Sequence, residues 1–357
     1  IFYVFINVGG LIAPFVAPML RSWWLNVNGM VYSSNFPAMC HQFLGVTTTP
    51  DQATMDGLYA MATQVGFQGG EISKFCSEYL NVFNTGIHYS FIASVAAMLI
   101  SLTIFLLTKK TLPSPQRIEK SKEVTVSNEE RRAMAKEIKQ RMYALFAVLG
   151  IAIFFWFSFH QNGTSMSLFA RDFVDTSTIA PEIWQAVNPF FVIVLTPIIM
   201  WFFASFSRRG REISTPRKIA IGMGLAGIAY LFMMVFSLVM NYPSGMEFRD
   251  MISQGLPVVK AGWWVLILYY FFMTVAELFI SPLGLSFVSK VAPKHLQGLC
   301  QGLWLGATAV GNLLLWIGPL IYNQAPIWVA WAVFLSVCVI SMGIMLGMVK
   351  WLEKVTA

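Results

Sequence analysis

The sequence predicts an all-α polytopic membrane protein, and three observations lead there. Hydrophobic residues make up 57% of the 357 and charged residues only 11%, where a soluble domain carries roughly 25% charged. Apolar runs of about 20 residues recur, each long enough to cross a hydrocarbon layer about 30 Å thick as a helix. They are residues 1–20, 86–108, 143–168, 183–206, 219–240, 262–287, 298–321 and 326–349.

The third observation is where the charges fall. Loops 109–141, 207–218 and 289–297, with the tail from 350, hold 19 of the 24 Lys and Arg. Loops 21–85, 169–182, 241–261 and 322–325 hold only Arg21, Lys74, Arg171, Arg249 and Lys260. Cytoplasmic loops collect Lys and Arg, so both ends of the chain are expected on the cytoplasmic side of the cell (inner) membrane. The net charge of +7 thus sets topology, with the lipid bilayer as partner, and gives no reason to expect nucleic acid.

Taken in order, the first run begins at Ile1 without an initiator Met or a charged leader. It reads as a span of a longer chain rather than a signal peptide. Asn7 lies in it, followed by Gly9, Gly10, Pro14 and Pro18. Loop 21–85 is too long for a connector. A helix is predicted at TTPDQATMDGLYAMATQ, with Thr49 as cap, Pro50 at the first helical position and Asp51 in the first turn. A second is predicted at GEISKFCSEYLNVF, so the loop should form a small folded outer insertion. Cys40 and Cys76 lie in it, where an oxidising compartment permits a disulfide; spacing alone does not bring the sulfurs together. Cys300 and Cys338 fall inside spans as small apolar residues. Loop 109–141 is charged and Pro-punctuated, with a helix expected after Ser127 and Asn128. It separates residues 1–108, which carry two spans, from a six-helix bundle over 142–357.

Embedded polar residues carry the functional signal. Glu277 is the one charged side chain between Lys260 and Lys290, and a carboxylate at mid-bilayer costs ~2.5–3.5 kcal/mol on insertion scales. Helical spacing puts Tyr270, Met273, Thr274 and Ser281 on its face, and Pro282 and Gly284 should bend the helix just beyond. The face suits a cavity-lining proton site, with an interhelical ion pair or hydrogen bond as the structural alternative. His160, in FFWFSFHQNGTSMSLF, is titratable near neutral pH and sits among Gln161, Asn162, Thr164 and Ser165; it reads as a proton site, a substrate contact or a histidine near the mouth of its span. Gln185 and Asn188 are i, i+3 in a span interrupted by Pro189 and Pro197. Gly298, Gly302 and Gly306 form a small-residue stripe of the kind that packs helices. The chain carries no P-loop, zinc-ligand spacing or nucleophile elbow, so neither an enzyme, a metal nor another cofactor is expected.

At these residues a resemblance becomes specific. FYVFINVGG (2–10), NPFF (188–191), SRRGREISTPRK (207–218), AELFISPLGLSFVSKVAP (276–293) and GLWLGATAVGN (302–312) resemble, in order, motifs of the proton-dependent oligopeptide transporter family of the major facilitator superfamily. The resemblance implies helices five to twelve of a twelve-helix fold. The four helices upstream would carry the ExxER motif and a lysine serving proton coupling and the peptide carboxylate. It further implies that Glu277 meets the peptide amino terminus and couples protons, that Asn7 and Asn188 contact the peptide as amides, and that Trp304 is a pocket or gate aromatic. Ser281 joins the site through its place on the Glu277 face. The family pattern would put a Glu where this chain has His160, so His160 becomes the second candidate for proton coupling. No extra helices fit into loop 109–141, while loop 21–85 is longer than the family leads one to expect.

The function implied is proton-coupled symport of di- and tripeptides by alternating access, with small peptides and protons as partners. A same-fold transporter of another solute, such as nitrate or an amino-acid conjugate, and a non-transporting receptor or assembly protein using loop 21–85 are the alternatives.

Overall fold

The computed structural model describes residues 2–45, 52–111, 128–175, 181–211, 213–293 and 296–356. Among these, the regular structure is helical: α1 (Phe2–Val27), α2 (Phe36–Gly45), α3 (Gln52–Gln64), α4 (Ile72–Thr108), α5 (Asn128–Phe159), α6 (Ser165–Asp172), α7 (Val187–Arg208), α8 (Thr215–Val239), α9 (Gly245–Ser253), α10 (Trp264–Val291), α11 (Gln297–Leu313), α12 (Ile317–Gln324) and α13 (Ile327–Thr356). Eight segments are long and apolar enough to cross a membrane, matching the eight runs read from the sequence. Two of them are broken. Lys136–Asp172 passes through a 3-10 turn, His160–Gly163, between α5 and α6, and Gln297–Gln324 changes from α11 to α12.

The described residues fall into two compact units: residues 1–15, 49–58 and 141–357, and residues 16–48 and 59–140. In the larger unit α8 packs against α10 and α13. Gly222 makes that approach close, since a Cβ there would stand 2.7 Å from Ile280 Cγ1 and 2.9 Å from the Ala276 carbonyl. Tyr230, Tyr269, Trp331 and Phe334 are fully buried at this junction, and Trp331 donates its indole N–H to Ser237 Oγ at 3.1 Å, so its one polar atom is satisfied.

In the smaller unit the predicted folded insertion is present. Ser33 Oγ accepts from the Phe36 N–H at 3.2 Å and so caps α2. The Tyr79 hydroxyl accepts from the Ser33 N–H at 3.2 Å and donates to the Val31 carbonyl at 3.0 Å, tying α4 to the strap before α2. Phe36 meets Tyr79 edge-on at 4.8 Å between ring centroids. Gly66 has φ of 115°, and a Cβ would collide with the Gly29 carbonyl; only glycine fits there.

Two local expectations change. The helix expected at GEISKFCSEYLNVF is not a separate element. It is the start of the 37-residue α4, about 55 Å long at 1.5 Å per residue and therefore longer than the bilayer is thick. Gly298, Gly302 and Gly306 meet nothing within 4 Å, so the stripe is not a packing face within the described chain; Gly311 is, with a Cβ position 2.8 Å from the Ile153 carbonyl. The expected cap at Thr49, Pro50 and Asp51 lies outside the described residues, and α3 follows at Gln52.

Candidate functional site

Asn188 sits in the first turn of α7, just after a 3-10 segment, Pro181–Ala186. Pro189 follows it, still in the turn where a missing N–H leaves no helical bond broken. From there Asn188 Nδ2 reaches across to α10 and donates to Glu277 Oε2 and to Thr274 Oγ1, both at 2.9 Å. Thr274 and Glu277 are i, i+3 on α10, so one amide bridges two groups of the same face. The cluster is buried: Glu277 is 7% exposed, Asn188 9% and Ser281 6%. Ser281 lies one turn beyond Glu277, and its buried Oγ meets no hydrogen-bond partner among the described residues. Such a hydroxyl is costly to leave unpaired and is suited to a polar ligand or a water.

Two turns beyond Glu277, Gly284 completes the face. A Cβ at Gly284 would collide with the six-membered ring of Trp304, so the glycine is what lets α11 lay its indole against α10. Trp304 is buried there and closes the far end of the Glu277–Ser281 strip. Toward the other end, the Tyr270 hydroxyl donates to the Asn162 carbonyl at 3.4 Å. Asn7 is buried on α1, one turn before Gly10, whose Cβ position stands 3.3 Å from the Pro189 ring. That contact places Asn7 on the α1 face that meets α7 next to Asn188.

His160 occupies a different setting. It opens the 3-10 turn and stacks on Trp156 with centroids 5.1 Å apart and planes 18° from parallel. Its neighbour Gln161 is fully buried; the Gln161 carbonyl oxygen accepts from Thr164 at 2.8 Å and Ser165 at 2.7 Å, while its amide donates to the Leu315 carbonyl at 3.3 Å. Gln185 and Asn188 engage different partners. Gln185 lies in the 3-10 segment and donates to Ser167 Oγ at 3.2 Å, whereas Asn188 reaches α10.

Glu277 is also not alone as a buried carboxylate. Asp172, 4% exposed, accepts from Arg171 at 2.7 and 3.0 Å, from Arg249 at 2.8 Å and from the Tyr322 hydroxyl at 3.0 Å. The signal available was the Arg171–Asp172 pair closing an apolar run; its long-range partners were not readable. Thr274 was on the expected face, but its share in the Asn188 amide is a tertiary fact.

Against known proteins, the sequence profile of the POT family matches residues 112–327, which include His160, Asn188, Glu277, Ser281 and Trp304. A peptide transporter, YePEPT, of Yersinia enterocolitica is 30% identical over 184 residues, 50% of this chain and 34% of that protein. Dipeptide and tripeptide permease B of Aeromonas hydrophila is 24% identical over 326 residues, 88% of this chain and 57% of that protein. The chain thus spans between about a third and three-fifths of the length of these relatives, which are transporters rather than enzymes. Among solved structures, peptide transporter POT in complex with sulfate superposes with a TM-score of 0.57 at 14% identity, over 99% of this chain and 86% of that one. The POT family transporter PepTSo gives 0.52 at 16%, over 98% and 88%. The fold is therefore that of these POT transporters, and the protein, an integral membrane protein whose profile match covers more than half of its sequence, belongs to the POT family.

Proposed function

We propose that this chain supplies helices five to twelve of a proton-coupled symporter for di- and tripeptides, working by alternating access in the cell (inner) membrane with both ends cytoplasmic. The observation that carries the reading is the Asn188–Glu277 hydrogen bond, which joins α7 to α10 at a buried carboxylate beside an unpaired hydroxyl. A bond to an ionised carboxylate is stronger than one to its neutral form. Proton uptake by Glu277 loosens the α7–α10 link and its hold on a peptide amine, and so shifts the balance between inward and outward states. Asn7 and Asn188 serve as amide contacts to the peptide, Ser281 as a hydroxyl contact, and Trp304 as the aromatic wall. His160, stacked on Trp156, is the second proton-coupling group. Residues 142–357 act as one bundle, linked through 109–141 to the part that precedes it and completed by the four helices upstream. The dipeptide and tripeptide specificity printed for the Aeromonas relative supports the substrate class.

The test is uptake of labelled dialanine by the full-length protein in liposomes with an acidic exterior. The expected result is gradient-dependent uptake, competed by unlabelled tripeptide and lost in Glu277→Gln. Gradient-driven uptake that persists in Glu277→Gln overturns the role of this acid. Uptake competed by nitrate or an amino-acid conjugate, and not by peptides, overturns the substrate class.

A further inference from the structure

We propose that Cys40 and Cys76 close a disulfide that staples the insertion between the first two spans. Cys40 lies on α2 and Cys76 on α4. Both are fully buried and both are free thiols in this structure; Cys40 lies one turn beyond Phe36, and Cys76 follows Phe75 one turn before Tyr79. The helices that carry them are already held side by side by Phe36 against Tyr79 and Phe75 and by the Tyr79 hydroxyl on the strap before α2. The packing of α2 on α4 thus brings the two cysteine-bearing turns to one junction. Cys338, by contrast, lies on α13 and Cys300 on α11.

The chemistry needs an oxidising compartment, so the inference rests on the outer placement of residues 21–85 in the reading above. One thiolate of the pair attacks the disulfide of an oxidising thiol–disulfide carrier protein. This forms a mixed disulfide and releases one carrier thiol. The second cysteine, as thiolate, then displaces the other carrier sulfur. Two protons leave the pair and two electrons reduce the carrier. Because both sulfurs are inaccessible in the packed insertion, closure precedes the docking of α2 on α4. The staple suits a module this small, whose own core is limited, since a cross-link restricts the unfolded loop between the two positions.

Trypsin decides it on the full-length protein from its native membrane, alkylated before lysis. Cleavage after Arg21, Lys74 and Lys109 leaves Cys40 in peptide 22–74 and Cys76 in peptide 75–109, with no other Lys or Arg in either. The expected result is one linked species by mass spectrometry, absent after reduction and absent in Cys40→Ser. Topology is read separately by labelling Lys74→Cys, at an exposed position, with a membrane-impermeant maleimide on intact cells. Free, alkylated peptides from a protein whose Lys74→Cys labels from outside overturn the disulfide and leave the topology standing. Labelling only after permeabilisation overturns the outer placement and the disulfide with it. Linkage of either peptide to some other cysteine overturns the pairing.

Discussion

Two buried carboxylates on the C-terminal helices show how differently a membrane protein can keep an acid out of water. Asp172 is held by the guanidinium groups of Arg171 and Arg249 and by the Tyr322 hydroxyl, and Arg249 passes on to Asn323 at 2.9 Å. One carboxylate thereby knots the ends of α6, α9 and α12. Glu277 accepts from the amide of Asn188, which it shares with Thr274, and one turn away lies a hydroxyl without a partner among the described residues. Burial is nearly the same at the two sites. The difference is in the partners: a cationic cage makes a fixed joint, whereas an amide link across two helices changes strength when its carboxylate takes a proton.

The largest expected effect breaks the cage. Asp172→Ala leaves two part-buried guanidinium groups facing each other and should destabilise the protein by about 3–5 kcal/mol, read as a fall in thermal midpoint in detergent. By contrast Glu277→Gln keeps an acceptor for Asn188, and its midpoint should stay near that of the parent; if it fell as far as in Asp172→Ala, the distinction between joint and switch would collapse. Asn188→Ala sharpens the comparison. It removes a donor to a carboxylate, a bond of about 1.5–3 kcal/mol, so the proton dependence of peptide uptake should shift while the Asp172 cage stays intact. A bell or step in the pH profile identical to that of the parent would place the coupling elsewhere, His160 first. Gly284→Ala should cost about 1–3 kcal/mol by driving a methyl into the Trp304 ring, measured by the same melts, and the paired change Trp304→Leu should recover part of it. The smallest effect belongs to the exposed pair Glu71–Lys74 at 2.9 Å. Lys74, and then Ser73, hold the Glu71 carboxyl below the usual carboxylate range, so whatever the pair contributes is present above that range and fades as the pH falls through it. Both groups lie in water, and Glu71→Gln should leave the midpoint unchanged within error at any pH.

Much of the fold was legible because membrane insertion is governed by one-dimensional quantities. Run length, apolarity and the sidedness of Lys and Arg depend on each segment alone, and all eight spans were found from them. The fold class followed, as did the folded insertion, the helix starting at Asn128 and the choice of Glu277 as the residue to explain. Glu277, Ser281 and Gly284 shared a face by helical period. What period could not reach were contacts that cross between helices. Asn188 over Gln185, Thr274 beside Glu277 and Trp304 against Gly284 depend on how α7, α10 and α11 are rotated about their axes. Two amides that simple spacing put together went to different partners, Gln185 to Ser167 and Asn188 to Glu277 and Thr274. The Gly298 stripe failed for the same reason, because a small-residue face says that a helix can be approached, and only packing says whether anything approaches it.

The sequence by itself determined that eight segments are long and apolar enough to cross a membrane, that Lys and Arg gather in one set of loops, and which acid stands in an apolar span. Only the tertiary structure decided that a second acid, Asp172, is buried as well and caged by arginines from two helices, that Glu277 answers to an amide, and that the helices carrying Cys40 and Cys76 pack side by side. The first set follows from the free energy of single segments in hydrocarbon, and the second from side chains far apart in sequence that meet only once the helices have packed.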